Sequence, residues 1–362
     1  MTVDTSTETD LEFRLNGRLR RMSPVTDLRD SQPITPVDPP APADVAQLLG
    51  PDSVTWKFFG GWHGMLIGLW SGSMQNMHPK LGAAVWEHSD FFGERWERLM
   101  RSLYPIIGVV FDGTEDTGRE VRDYHREIKG AMPDGSRYHA LDPDVFYWAH
   151  ATFWYGNIRC AEVFGPPITE AEKRQLFEES RTWYAMYGVS TRPCPDTYEE
   201  FGEYWDHMCR NVLQDHPAVR TVLDISELPP PPWMSWMPRP VWKHMVRPTE
   251  RFFTWLTVGL YDQPVRDMMG FTWSERDERR FRRFGKAVDT FMRLLPERYR
   301  KHPRCRDAWD RLAGAVPAEA PLLDTPVRNL PPEAVRGEPM HYCPVTAARR
   351  ANLPWQSNET AL

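Results

Sequence analysis

Nowhere in the 362 residues does an uninterrupted apolar run reach about 18 residues, the length that marks a bilayer-crossing helix, so no membrane span is expected. The first ten residues, Met1 to Asp10, are rich in threonine and acid and have no apolar core of a secretion signal, which sets the expectation of a cytoplasmic protein. Cysteine is scarce. The five present, Cys160, Cys194, Cys209, Cys305 and Cys343, are an odd number with no CxxC pair and no zinc spacing, so neither a disulfide framework nor a structural zinc site is expected. Charge of one sign is never concentrated: 44 basic and 50 acidic residues are mixed along the chain for a net charge of −6, which excludes a nucleic-acid surface. Alternating β-branched runs are almost missing, as is any internal repeat. Nor is there a GxGxxG after a strand, a GxxxxGK(S/T), an HExxH or a GxSxG. A ferritin-type di-iron centre needs two Glu-x-x-His pairs, yet only His341 has a glutamate three residues before it, with Pro339 inside the motif. The adjacent His88, Ser89 and Asp90 cannot face one another on a regular element, so they are no catalytic triad.

What the sequence does have is bulky side chains: 16 Trp, 17 Phe, 12 Tyr and 16 Met, suited to a large apolar cavity or to an aromatic-rich core. Apolar spacing of helical period recurs along the chain, and the fold class is all-α. Residues 1–43 form a Pro-rich disordered or wrapping arm, 44–315 a helical domain and 316–362 a Pro-rich tail. Residues 95–104 read as a helix that places Arg98 and Ser102 at i, i+4 with Arg101 beside them, a spacing that by itself describes a solvated basic edge. Trp56 to Trp70 reads as a Gly-spaced interior helix, Leu228 to Pro240 as an irregular Pro- and Trp-rich connector, Pro248 to Tyr261 and Ser274 to Leu295 as further helices.

Two helices between Thr117 and Asn157 organise the rest. In the first, Val121, Tyr124, His125, Ile128 and Met132 recur at helical spacing, Thr117 with Glu120 fits a capping box, and Gly130 with Pro133 closes the end, so His125 points into the core. The second starts at Asp142-Pro143 and is apolar almost all round past His150. Burying an imidazole without a partner costs about 1–3 kcal/mol, so each histidine requires a ligand, a metal or a hydrogen bond. One helix imidazole suffices to hold haem iron, and arginines can pair with haem propionates. Three other readings stay open: a haem or lipid carrier, a non-haem metal oxidoreductase using His125 and His150, and a helical module without cofactor.

Several pieces in order resemble the rubber-oxygenase (latex-clearing protein) and MpaB-like oxygenase superfamily. They are Gln75-Asn76-Met77-His78-Pro79, Glu87-His88-Ser89-Asp90-Phe91, Arg98-Leu99-Met100-Arg101-Ser102, Val121 to Gly130, Tyr138 to Pro143 and Trp148-Ala149-His150-Ala151-Thr152. The resemblance spans roughly residues 50 to 310. It implies a globin-like helical core with one b-type haem and dioxygen chemistry on an apolar or lipid-like substrate, with an electron donor left unidentified. It also implies His125 as the iron ligand and Arg98, Arg101 and Ser102 on the distal side, with His150 at the haem edge or behind it. Where the family has a lysine in its Arg-x-x-Lys-Thr element, this chain has Arg101. A guanidinium stays charged and cannot bind iron, so a closed, lysine-ligated state is not available to it.

Overall fold

The computed structural model describes residues 11–15, 18–22, 49–88 and 95–323, apart from 229, 231–233, 235 and 318; the side chains of 95–101, of 227 and of the first two strands are outside the description, as are most of the N-terminal arm and the C-terminal tail from 324 on. Within the arm, β1 (Leu11–Leu15) pairs antiparallel with β2 (Arg18–Met22). The rest of the described chain is helical, as the pattern implies: α1 (Val54–Phe58), α2 (Gly68–Asn76), α3 (Pro79–His88), α4 (Arg95–Phe111) and α5 (Asp116–Asp123) lead to a second small hairpin, β3 (Lys129–Ala131) with β4 (Arg137–His139). Then come α6 (Pro143–Phe164), α7 (Glu170–Ala185), α8 (Tyr198–His207), α9 (Pro217–Leu223), α10 (Arg239–Leu260), α11 (Gln263–Met269), α12 (Glu275–Leu294), α13 (Glu297–Arg300) and α14 (Pro303–Leu312).

The centre is α6. Asp142 caps it by accepting from the Asp144 backbone N–H, and Pro143 occupies the first turn, where its missing donor costs nothing. Trp148, Ala151, Trp154, Ile158 and Phe164 on it are almost without solvent contact, and it packs against α1, α2, α7, α12 and the 3-10 segment Trp62–Ile67. Helix α12 comes so close that a Cβ on Gly285 would lie 2.1 Å from the Val163 carbonyl oxygen. The Thr169–Glu172 and Ser274–Asp277 capping boxes open α7 and α12.

Four local expectations are corrected. Trp56 to Trp70 is not one helix: the chain breaks at Gly60 (φ 81°), whose missing Cβ leaves room for the Cys305 and Phe111 side chains, and resumes as a 3-10 turn. Pro105 and Pro248 do not bound helices but lie inside α4 and α10, because the apolar turns that follow, such as Ile107 to Phe111 and Leu256 to Leu260, are buried and outweigh the lost hydrogen bond. Thr117 does not cap α5. Its hydroxyl donates to the Asp112 carboxylate at 2.6 Å, while Glu115 holds the cap position and Glu120 accepts from the Tyr124 hydroxyl. Finally, the first organising helix stops at Asp123, and the remainder of its apolar spacing, Ile128 and Met132, belongs to the hairpin segment.

Replacing Gly285 with alanine is expected to destabilise the protein by about 1–3 kcal/mol, since α12 must move off the Val163 carbonyl. Urea unfolding with an unchanged midpoint would show that α12 does not sit this tightly on α6.

Candidate functional site

After Asp123 the chain turns back through i to i−3 bonds, His125 N–H to Arg122 C=O at 2.9 Å and Arg126 N–H to Asp123 C=O at 3.3 Å. Arg122 and Arg126 both donate to the Asp123 carboxylate, which fastens this turn. The hairpin then forms because Pro133-Asp134-Gly135 is a good three-residue loop: Gly135 adopts φ 85°, Asp134 accepts from Ser136, and Met132 N–H reaches Ser136 C=O at 2.7 Å. Gly130 is a strand residue under the Tyr138 hydroxyl, not a helix stop. His125 is therefore a half-buried turn residue rather than a core-facing helix residue.

Its ring is nevertheless held. Nδ1 donates to the Val121 carbonyl at 2.7 Å, and since a carbonyl can only accept, the lone pair of the neutral ring lies on Nε2. The ring stands edge-on to Phe146, with centroids 5.7 Å apart and planes at 86°. Phe146 belongs to the first turn of α6 and meets Tyr187 at 5.3 Å, which in turn meets His150 at 5.9 Å.

His150 is thus behind the Phe146 layer, not beside His125. It is 2 % exposed, its Nε2 donates to the Ser180 carbonyl at 3.0 Å, and Trp183 and Tyr184 close around it. Burial pushes its pKa down to about 3, so it is neutral. Among the described residues no group of three or more His, Cys, Asp or Glu side chains is arranged to hold a metal ion. A haem asks for only one such ligand. The buried thiol of Cys160 is driven up to about 12, which leaves it protonated and unreactive.

Arg98, Arg101 and Ser102 share one face of α4 at i, i+3 and i+4; Ser102 is exposed, and the side chains of the two arginines lie outside the described ones. Helix α4 packs on α5, and the end of α4 is pinned by a buried ion pair that sequence reading missed. Arg304, on α14, grips Asp112 with both Nε, at 2.8 Å, and a terminal nitrogen, and gives its other nitrogen to the Tyr104 carbonyl. The Asp112 side chain is 3 % exposed and also accepts from Thr117, so one carboxylate joins α4, α5 and α14. Gly108 makes room for the guanidinium, as a Cβ there would be 2.4 Å from its central carbon. No motif signals an arginine 192 residues from its partner.

A family model described as "ER-bound oxygenase mpaB/B'/Rubber oxygenase, catalytic domain" matches residues 56–290. The uncharacterized proteins Mb2261 of Mycobacterium bovis and Rv2237 of Mycobacterium tuberculosis are each 23% identical to the chain over 235 residues, covering 62% of it and 87% of their own length. No solved structure matches. Arg304 and the whole of α14 lie beyond the matched segment.

Removing one partner of the ion pair strands a buried charge, so Arg304→Met is expected to lower stability by about 3–5 kcal/mol, and Asp112→Leu in addition to recover most of it. Urea titrations of the two variants check this; a double variant no better than the single one would contradict it. Acid provides a second check. Burial holds His78 and His302 down to about 4 and His150 to about 3, below the ordinary 6.5, so the unfolded chain binds more protons between those values. Stability from these groups is complete above pH 6.5 and declines as pH falls toward 4; His150→Leu should flatten that decline in urea melts across this range.

Proposed function

Because the chain belongs to the mpaB/rubber oxygenase catalytic-domain family, we propose that it is a b-type haem-dependent oxygenase acting with O₂ on an apolar substrate, with His125 as the iron ligand. The observation that carries this reading is the Nδ1 bond from His125 to the Val121 carbonyl, the same outer-shell device that orients metal-bound imidazoles and sets their tautomer. What supports such a group is one oriented imidazole with an aromatic wall at Phe146, beside a helix α4 whose sequence carries two arginines. Bound there, haem would supply the activation of dioxygen.

The chain's own residues would do the rest. Val121 keeps the proton of His125 on Nδ1. Phe146 blocks rotation of the ring, and Tyr187 and His150 keep Phe146 from retreating into the core. In this reading Arg98 and Arg101 would supply permanent positive charge for the reacting oxygen or the propionates, and Ser102 a hydroxyl donor. With arginine at 101 no side chain at that position competes for iron.

The protein purified from cells supplied with haem should show a Soret band that His125→Ala loses while keeping its helical circular dichroism. Arg98→Ala should keep the band and lower oxygen-dependent turnover of an apolar alkene by about tenfold or more. A wild-type preparation without porphyrin absorbance, or a band unaltered by His125→Ala, would sink this reading; a normal band without any oxygen-dependent product would turn it into a carrier.

A further inference from the structure

The Pro- and Trp-rich connector, α10 and α12 have no part in the site just described, yet among the described residues they carry five exposed large apolar side chains, Trp236, Val241, Met245, Phe291 and Leu294. On α10, Val241, Met245 and Phe252 recur at i, i+4 and i+11; on α12, Phe284, Phe291 and Leu294 recur at i, i+7 and i+10. The two stripes meet where Phe252 packs on Phe284 at 5.2 Å and Trp255 on Phe281 at 5.9 Å. Later residues of one helix meet earlier residues of the other, so the helices run in opposite directions and both stripes continue the same way from that contact. Beyond it they are uncovered: Val241 is 49 % exposed, Met245 50 %, Phe291 59 % and Leu294 79 %, and Trp236, just ahead of α10, 75 %.

The charge around this edge is opposite to that of the chain. From Trp236 to Arg251 there are four Lys or Arg against one Glu, and from Arg282 to Arg300 six against two acids, in a chain of net charge −6. Of those two acids, Asp289 is already engaged by Arg293 at 2.8 Å. Arg239, Arg247, Arg283 and Lys286 are exposed. An apolar stripe with a peripheral tryptophan and flanking cations is the composition of surfaces that lie in the headgroup layer of an anionic bilayer, where the rings enter the interface and the long cationic chains reach the phosphates. A partner protein that buried the same stripe would have no need of cations on both helices.

We propose that the α10–α12 edge docks the protein peripherally on anionic phospholipid membranes. No helix among the described residues is long and apolar enough to cross the bilayer, so the contact lies on its surface. Under the oxygenase reading this would place the protein where apolar substrates partition, but the docking itself involves no cofactor.

Flotation of the full chain with vesicles tests it. Wild type should float with phosphatidylcholine vesicles containing phosphatidylglycerol, progressively less as salt is raised, and remain behind with phosphatidylcholine alone. Phe291→Ser with Leu294→Ser, and separately Arg247→Glu with Lys286→Glu, should each weaken binding by about tenfold or more, with melting curves unchanged. Wild type that stays unbound on anionic vesicles, or either double variant binding like wild type, overturns the proposal. So does a dimer lost in the same variants without any vesicle binding, which would assign the edge to a second copy. Since the assay reads no porphyrin, its failure is separate from that of the Soret test.

Discussion

A helix that is apolar on nearly every side must be covered along most of its length, and the fold is the arrangement that covers α6. Each large side chain fully buried on it contributes about 1.5–3 kcal/mol, and Trp148, Trp154, Ile158 and Phe164 make that contribution over the length of the helix. Its cover comes from elements far apart in sequence, α1 and α2 from one end and α12 from the other. At its first turn Asp142 binds Lys80 at 3.2 Å and Phe146 meets His125. The candidate site is therefore at the N-terminal end of the central helix.

The polar groups drawn into this core show how its position is kept. His150 gives one nitrogen to a backbone carbonyl and stays neutral, which is how an imidazole can lie among four aromatic rings. Arg304 and Asp112 tolerate burial as a pair because each nitrogen of the guanidinium finds an acceptor. Through Thr117 the same carboxylate sets where α5 begins, and hence where the turn carrying His125 falls. The scaffold of the candidate site thus includes α14, which the family match does not reach.

Much of this was legible in the chain. Asp142-Pro143 marked the start of α6 and Ser274 that of α12, because caps are local chemistry that needs only neighbouring residues. The errors share one cause, competition between local and distant partners. Thr117 met the capping pattern, but a carboxylate held by Arg304 took its hydroxyl. Pro105 and Pro248 looked like boundaries, but the buried turns beyond them carried the helix through. Apolar spacing ran on from His125 to Met132, yet Asp134-Gly135 closed a hairpin instead; those two residues were the signal that could have revealed it.

By itself the amino-acid order determined the all-α class, the start of the central helix and the pieces shared with the family, since periodicity, caps and motifs depend on residues within a turn or two of each other. Tertiary structure alone decided that His125 lies on a turn facing Phe146, that His150 is sealed behind it, that Asp112 pairs with Arg304, and that the apolar stripes of α10 and α12 continue past their contact into solvent. Each of these depends on which distant groups compete for the same carboxylate, carbonyl or apolar face, and that competition is resolved only when the whole chain packs.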